Sequence, residues 1–203
     1  MLAPQTVVID FEGFRFFNQP FIVKELSVRG FDYSDTIFLK PPFPIHLVSI
    51  KAQKRYTWIT NKIHGLNWDS GIYEYSFLYC FFLSLKIRFP NIIVYTKGNE
   101  KSLFLQNFFT WVIDLDHLNC PKASDFPQNC SPSCLNHSAF FSRDHCSREK
   151  SNLCFHWLSH CQQNAYVYSF PNTEKQGQLI PHPVPEFNHI SINNEPAQYQ
   201  ERP

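Results

Sequence analysis

An excess of either charge sign is missing from this 203-residue chain, in which 18 Lys and Arg stand against 17 Asp and Glu for a formal net charge of +1 and a pI near 7.6. No global basic field points to nucleic acid, so such binding would need a local patch. The N-terminus, Met1-Leu2-Ala3-Pro4, lacks a basic segment followed by an apolar stretch, which speaks against a secretory signal. The longest apolar run, Phe77 to Leu85, is too short to span a bilayer and is expected to be a core helix. An intracellular protein, cytoplasmic or nuclear and without a membrane partner, is the expectation. Seven cysteines, an odd count without an export signal, favour reduced thiols or a metal over a disulfide framework. No internal repeat is visible.

What is present suits a packed α/β domain: 43% of residues are hydrophobic and 17% aromatic. Three strand-like runs come first, residues 6–12, 21–28 and 36–39, separated by Asn18-Gln19-Pro20 and Arg29-Gly30 and predicting an antiparallel meander. Helical period follows, with Tyr56, Ile59 and Ile63 on one face and a stop at His64-Gly65-Leu66. A helix over 75–88, a strand over 92–95, a helix over 99–108 and a strand over 111–114 predict parallel pairing through right-handed crossovers. A last helix is expected over 145–162. Residues 1–164 therefore form the expected domain, and the Pro-, Asn- and Gln-rich stretch 165–203 reads as a mostly disordered tail that a protein partner could order.

Two groups of residues carry chemistry. Asp10 and Glu12 end the first apolar run two residues apart, so both carboxylates point to one face of the strand. Such a pair suits Mg²⁺ or Mn²⁺ against substrate phosphates and is a natural start for a two-metal phosphodiester site. The loop 119–146 gathers Cys120, Cys130, Cys134, His137, His145 and Cys146 among Pro, Ser and Asn, and would need a ligand to order it. Cys134-x2-His137 followed by eight residues and Cys146 offers two thiolates and an imidazole for Zn²⁺, which a carboxylate such as Glu100 would complete. Cys120 and Cys130 are alternative ligands, and His145 is an alternative to Cys146.

The order of these landmarks resembles the DEDDh family of 3′–5′ exonucleases. Val8-Ile9-Asp10-Phe11-Glu12 looks like its first motif, Lys62 to Leu66 like the loop after the third strand, Val94-Tyr95 through Phe104-Leu105 like the second-motif region, and His145-Cys146-Ser147 like the start of the last-motif helix. The resemblance covers roughly residues 5–160 and implies a ribonuclease-H-like fold, a mixed sheet with the meander first and helices packed on it. It also implies Asp10 and Glu12 as metal-binding acids and His145 as the base that activates water. Two departures stand out, since Lys101 and Lys150 occupy the positions where the family places its other two acids. Glu100 and Glu149 are each one residue off, a rotation of about 100° on a helix. A lysine ammonium at an ion site would repel Mg²⁺. The cysteine and histidine set is similar to that of the Maelstrom domain, a ribonuclease-H-like relative that has lost the exonuclease acids and binds zinc through Glu, Cys, His and Cys.

The expected function is binding of single-stranded nucleic acid with exonuclease activity weakened or lost. The rivals are a zinc-stabilised protein-interaction module and an active nuclease using Glu100 and Glu149. Other residues read more plainly. Cys80 and Cys154 are expected in the core, His64 against helix-end carbonyls, Asp114 and Asp116 as caps or solvated acids, and Trp68 as a loop anchor. Lys51, Lys54, Arg55 and Lys62 form a local basic stretch that reads as a solvated helix face or as a phosphate track.

Overall fold

The computed structural model describes residues 5–15, 20–126 and 145–163. Elements run in the order β1 (Thr6–Phe14), β2 (Ile22–Gly30), β3 (Ser34–Phe38), α1 (Ile50–Ile59), α2 (Phe77–Arg88), β4 (Ile93–Thr96), α3 (Asn99–Leu105), β5 (Val112–Asp114) and α4 (Ser147–Gln163). They build one mixed sheet of order β3-β2-β1-β4-β5. Antiparallel ladders join β1, β2 and β3, and parallel ladders join β1, β4 and β5. The α/β class, the meander and the parallel crossovers are as the sequence predicts, with shifts of one to three residues at element ends.

Strand β1 alternates between two environments. Val7, Ile9 and Phe11 enter the larger core with Leu26, Val28, Val94, Leu105 and the α2 residues Leu78, Phe81, Phe82 and Leu85. On the opposite face Val8 joins Cys154, Phe155 and Leu158 of α4, whereas Phe14 joins Ala52, Tyr56 and Ile59 of α1. Asp10 and Glu12 lie between Val8 and Phe14 on that same face, in the gap between the two apolar clusters.

A bulge fixes the end of this face. Glu12 pairs with Glu25 but Gly13 pairs with Val23, leaving Lys24 as the extra residue. A Cβ at residue 13 would stand 2.0 Å from the Ile22 carbonyl oxygen, so only glycine fits. The bulge returns Val23 to the apolar face and sends the buried Lys24 amine to the carbonyls of Trp68 (2.7 Å) and Ser70. Trp68 anchors its loop as expected: it stacks on Tyr56 at 4.9 Å and donates its indole N–H to the Phe43 carbonyl.

Helix α1 continues into a π turn over Thr60–His64, which Gly65 ends in the left-handed region at φ 72°. Cys80 corrects an expectation. It is exposed, because α2 buries Leu78, Phe81, Phe82 and Leu85, and Cys80 is turned about 100° from Phe81. Cys154 is in the core, its sulfur 3.9 Å from that of Cys120. No helix among the described residues is long and apolar enough to cross a membrane. Cys130, Cys134, His137 and the 165–203 tail lie outside the described residues.

Candidate functional site

Asp10 and Glu12 sit where β1 and the parallel β4 run out, beside the starts of α3 and α4. In open sheets of this kind the space beyond the carboxyl ends of parallel strands is where helix N-termini converge. Each helix delivers one lysine into it. Lys101 Nζ donates to Asp10 Oδ1 at 2.8 Å and to Glu12 Oε1 at 3.3 Å. Lys150 Nζ lies 3.1 Å from Asp10 Oδ2 and also donates to Glu12 Oε1. Two carboxylates and two ammonium groups thus form a closed, charge-neutral square.

Burial makes the square strong. The four side chains are between 4% and 15% exposed. Burial alone would raise the Glu12 carboxyl, but the facing Lys101 and Lys150 ammonium groups outweigh it and hold it at about 2 against an ordinary 4.5. Burial likewise works against the charged form of Lys150, yet Asp10 and Glu12 raise it above the ordinary lysine value. A divalent cation at about 4 Å would be repelled by each ammonium by on the order of 8 kcal/mol at an effective dielectric of about 20, which works against the attraction of the two carboxylates.

A second layer holds the square in place. Glu25, opposite Glu12 across the β1–β2 ladder, is fully buried and accepts from the Ser147 backbone N–H at 3.1 Å and from its hydroxyl at 2.8 Å. One turn on, the Ser151 hydroxyl meets that of Ser27 at 3.0 Å. The first turn of α4 is therefore bound to β2 through polar contacts, and Lys150 lies between them on the helix. From the other side, His64 Nε2 bonds the Gly13 carbonyl at 3.0 Å while its Nδ1 accepts from the Leu66 N–H at 3.0 Å. The ring is thus fixed between the bulge and the loop that follows the π turn. His64 was expected against helix-end carbonyls; instead the π turn swings it inward to the bulge beside Glu12.

The remaining predicted site residues are distributed more widely. His145 is partly buried and directly precedes Cys146 and Ser147, so it stands at the head of α4 beside the Glu25 contact. Cys146 is buried. Glu100 is half exposed and its carboxylate pairs with Arg15 at 2.7 Å. Glu149 is buried next to Lys150 in the sequence. Asp114 caps as expected, accepting from the backbone N–H groups of Gly98 and Asp116, and Asp116 pairs with Lys97. Among the described residues no group of three or more His, Cys, Asp or Glu side chains is arranged to hold a metal ion. Cys134 and His137 are outside those residues, so the full zinc set is not among them.

Lys101 and Lys150, expected from the resemblance to stand in place of acids, turn onto Asp10 and Glu12, which local spacing does not reveal. Sequence reasoning missed Glu25 and Ser147 altogether. The available signal for Glu25 was its phase, since it alternates with Leu26 and shares a strand face with Ser27. Compared with protein-family models, curated proteins and solved structures, the chain matches none.

Proposed function

We propose that this chain is a ribonuclease-H-like domain of the DEDDh exonuclease type that binds single-stranded nucleic acid and has lost metal-dependent cleavage. The observation that carries the reading is the pairing of Lys101 and Lys150 with Asp10 and Glu12. The two ammonium groups neutralise the two carboxylates and occupy the place where divalent ions would otherwise sit on such a couplet. They hold the scaffold together but offer no bound water to deprotonate and no Lewis acid for a leaving oxygen. The strand order, with a meander followed by two parallel strands on the far side of β1, is in keeping with this family.

The test is direct. Full-length protein with Mn²⁺ should leave a 3′-labelled single-stranded oligonucleotide intact while retarding it in a binding assay. Trimming at ordinary enzyme rates that disappears in Asp10→Ala would overturn the loss of cleavage, and absence of any oligonucleotide affinity would overturn the binding.

A second reading is a zinc-stabilised protein-interaction module on the same scaffold. It is favoured by Cys146, which is buried at the head of α4 and directly follows the segment carrying Cys134 and His137. On this reading zinc copurifies with the protein, Cys146→Ser abolishes it, and oligonucleotides do not bind.

A further inference from the structure

Between Thr36 and Trp68 the chain has no acidic residue, yet that stretch holds Lys40, Lys51, Lys54, Arg55 and Lys62. In a chain whose formal net charge is only +1, this stretch is the strongest local asymmetry. Helix α1 and its π turn concentrate it, burying Ala52, Tyr56 and Ile59 against Phe14 and Trp68 and turning the other face outward. Lys51, Arg55, Trp58 and Lys62 are all exposed, and their spacings of four, three and four residues place them in one row along the helix. Lys54 flanks the row. Trp58 breaks the expected pattern for a solvated helix face: the residue stays 46% exposed, with the Arg55 guanidinium 4.5 Å from the ring centre.

Cations interleaved with an outward aromatic ring match single-stranded nucleic acid. The cations follow the phosphates, while a base stacks on the indole or on the guanidinium plane. The row also has a direction. Its far end, Lys62, lies two residues before His64, which is bonded to Gly13 beside Glu12. A strand lying along α1 would therefore run toward the end of β1 that carries the neutralised square.

We infer that the α1 face formed by Lys51, Lys54, Arg55, Trp58 and Lys62 is the single-strand track, with Trp58 as its stacking platform. This rests on the nucleic-acid reading above and adds where the strand lies. An acidic peptide would use the cations alone, and an anionic membrane would need an apolar helix face, which α1 spends on Phe14 and Trp68, so a lone ring set among cations favours a single strand.

The experiment measures anisotropy of a labelled 20-nucleotide single strand titrated with the full chain at several salt concentrations. Trp58→Ala should weaken binding about tenfold, within the range expected for loss of one base–aromatic stack. The double variant Arg55→Gln/Lys62→Gln should lower the slope of log K against log salt by about 1.4, at roughly 0.7 per phosphate contact on a single strand. Circular dichroism and urea unfolding of each variant establish that α1 is intact. Wild-type binding that all of these variants retain would overturn the placement on α1 while leaving the nucleic-acid reading standing. No wild-type binding would overturn both. Equal wild-type affinity for polyglutamate or for anionic vesicles, insensitive to Trp58→Ala, would overturn the choice of occupant.

Discussion

Ser147 and Glu25, 122 residues apart in sequence, meet where α4 crosses β2: one carboxylate oxygen of Glu25 accepts both the backbone N–H and the hydroxyl of Ser147. The contact satisfies an N-terminal N–H of α4 that has no partner within the helix. A negative charge at that end is also favoured by the helix dipole. Ser147→Ala removes the hydroxyl arm from a buried carboxylate and should cost about 1.5–3 kcal/mol in urea unfolding. A loss below a few tenths would mean that the hydroxyl arm adds nothing to the docking of α4.

The lysine–carboxylate square gives a prediction about pairs. Lys150→Met leaves two buried carboxylates facing one ammonium and should destabilise the domain by about 3–5 kcal/mol. Replacing all four members together, Asp10→Asn, Glu12→Gln, Lys101→Met and Lys150→Met, should cost less than the two lysine changes alone, because no unpaired charge remains. Unfolding midpoints in urea rank the three proteins, and the reverse ranking would refute the square as a mutually neutralising unit.

Acids in place of the two lysines should create metal affinity. In Lys101→Asp/Lys150→Asp, four carboxylates converge where two ammonium groups now sit, and the protein should depend on a divalent ion. Its melting temperature should rise with Mn²⁺ concentration, by about 2.7 kcal/mol of stability when the ion reaches a hundredfold excess over its dissociation constant. The unaltered protein should show no such rise.

Glu12 sets the acid limb of stability. Its carboxyl is held at about 2 in the folded chain against 4.5 ordinarily. Between those values the unfolded chain binds more protons, so stability rises with pH through that window and is lost as pH falls toward 2. The contribution is on the order of 3 kcal/mol at neutral pH. Unfolding measured from pH 2 to 5 should show this slope, and Glu12→Gln should flatten it.

Lys24 acts in the opposite range. Burial lowers its amine to about 8 from 10.5, partly offset by Asp69. The unfolded chain holds the proton more readily between those values, so stability should increase as pH rises from about 8 to 10.5. Lys24→Met should abolish that increment while freeing the Trp68–Ser70 loop, which hydrogen exchange at those amides would report.

The couplet and its neighbours show how far the sequence reaches. Alternation along Thr6–Glu12, turn residues around Gly30 and helical period after Tyr56 are local signals, so the meander, the crossovers and the same-face placement of Asp10 and Glu12 were legible. The inward turn of His64 was not, because it follows from a π turn ended by Gly65. Cys80 was misplaced because α2 is apolar on nearly every face, so periodicity could not single out its buried side.

Sequence alone determined the α/β class, the strand that carries Asp10 and Glu12, and the face that the two acids share. Only tertiary structure decided what Lys101 and Lys150 do. Lys101 reaches Asp10 across 91 positions and Lys150 reaches Glu12 across 138. Such contacts depend on where α3 and α4 dock on the sheet, which no local spacing encodes. Once the four charges are enclosed away from water, the interior leaves them no lower-energy arrangement than to neutralise one another.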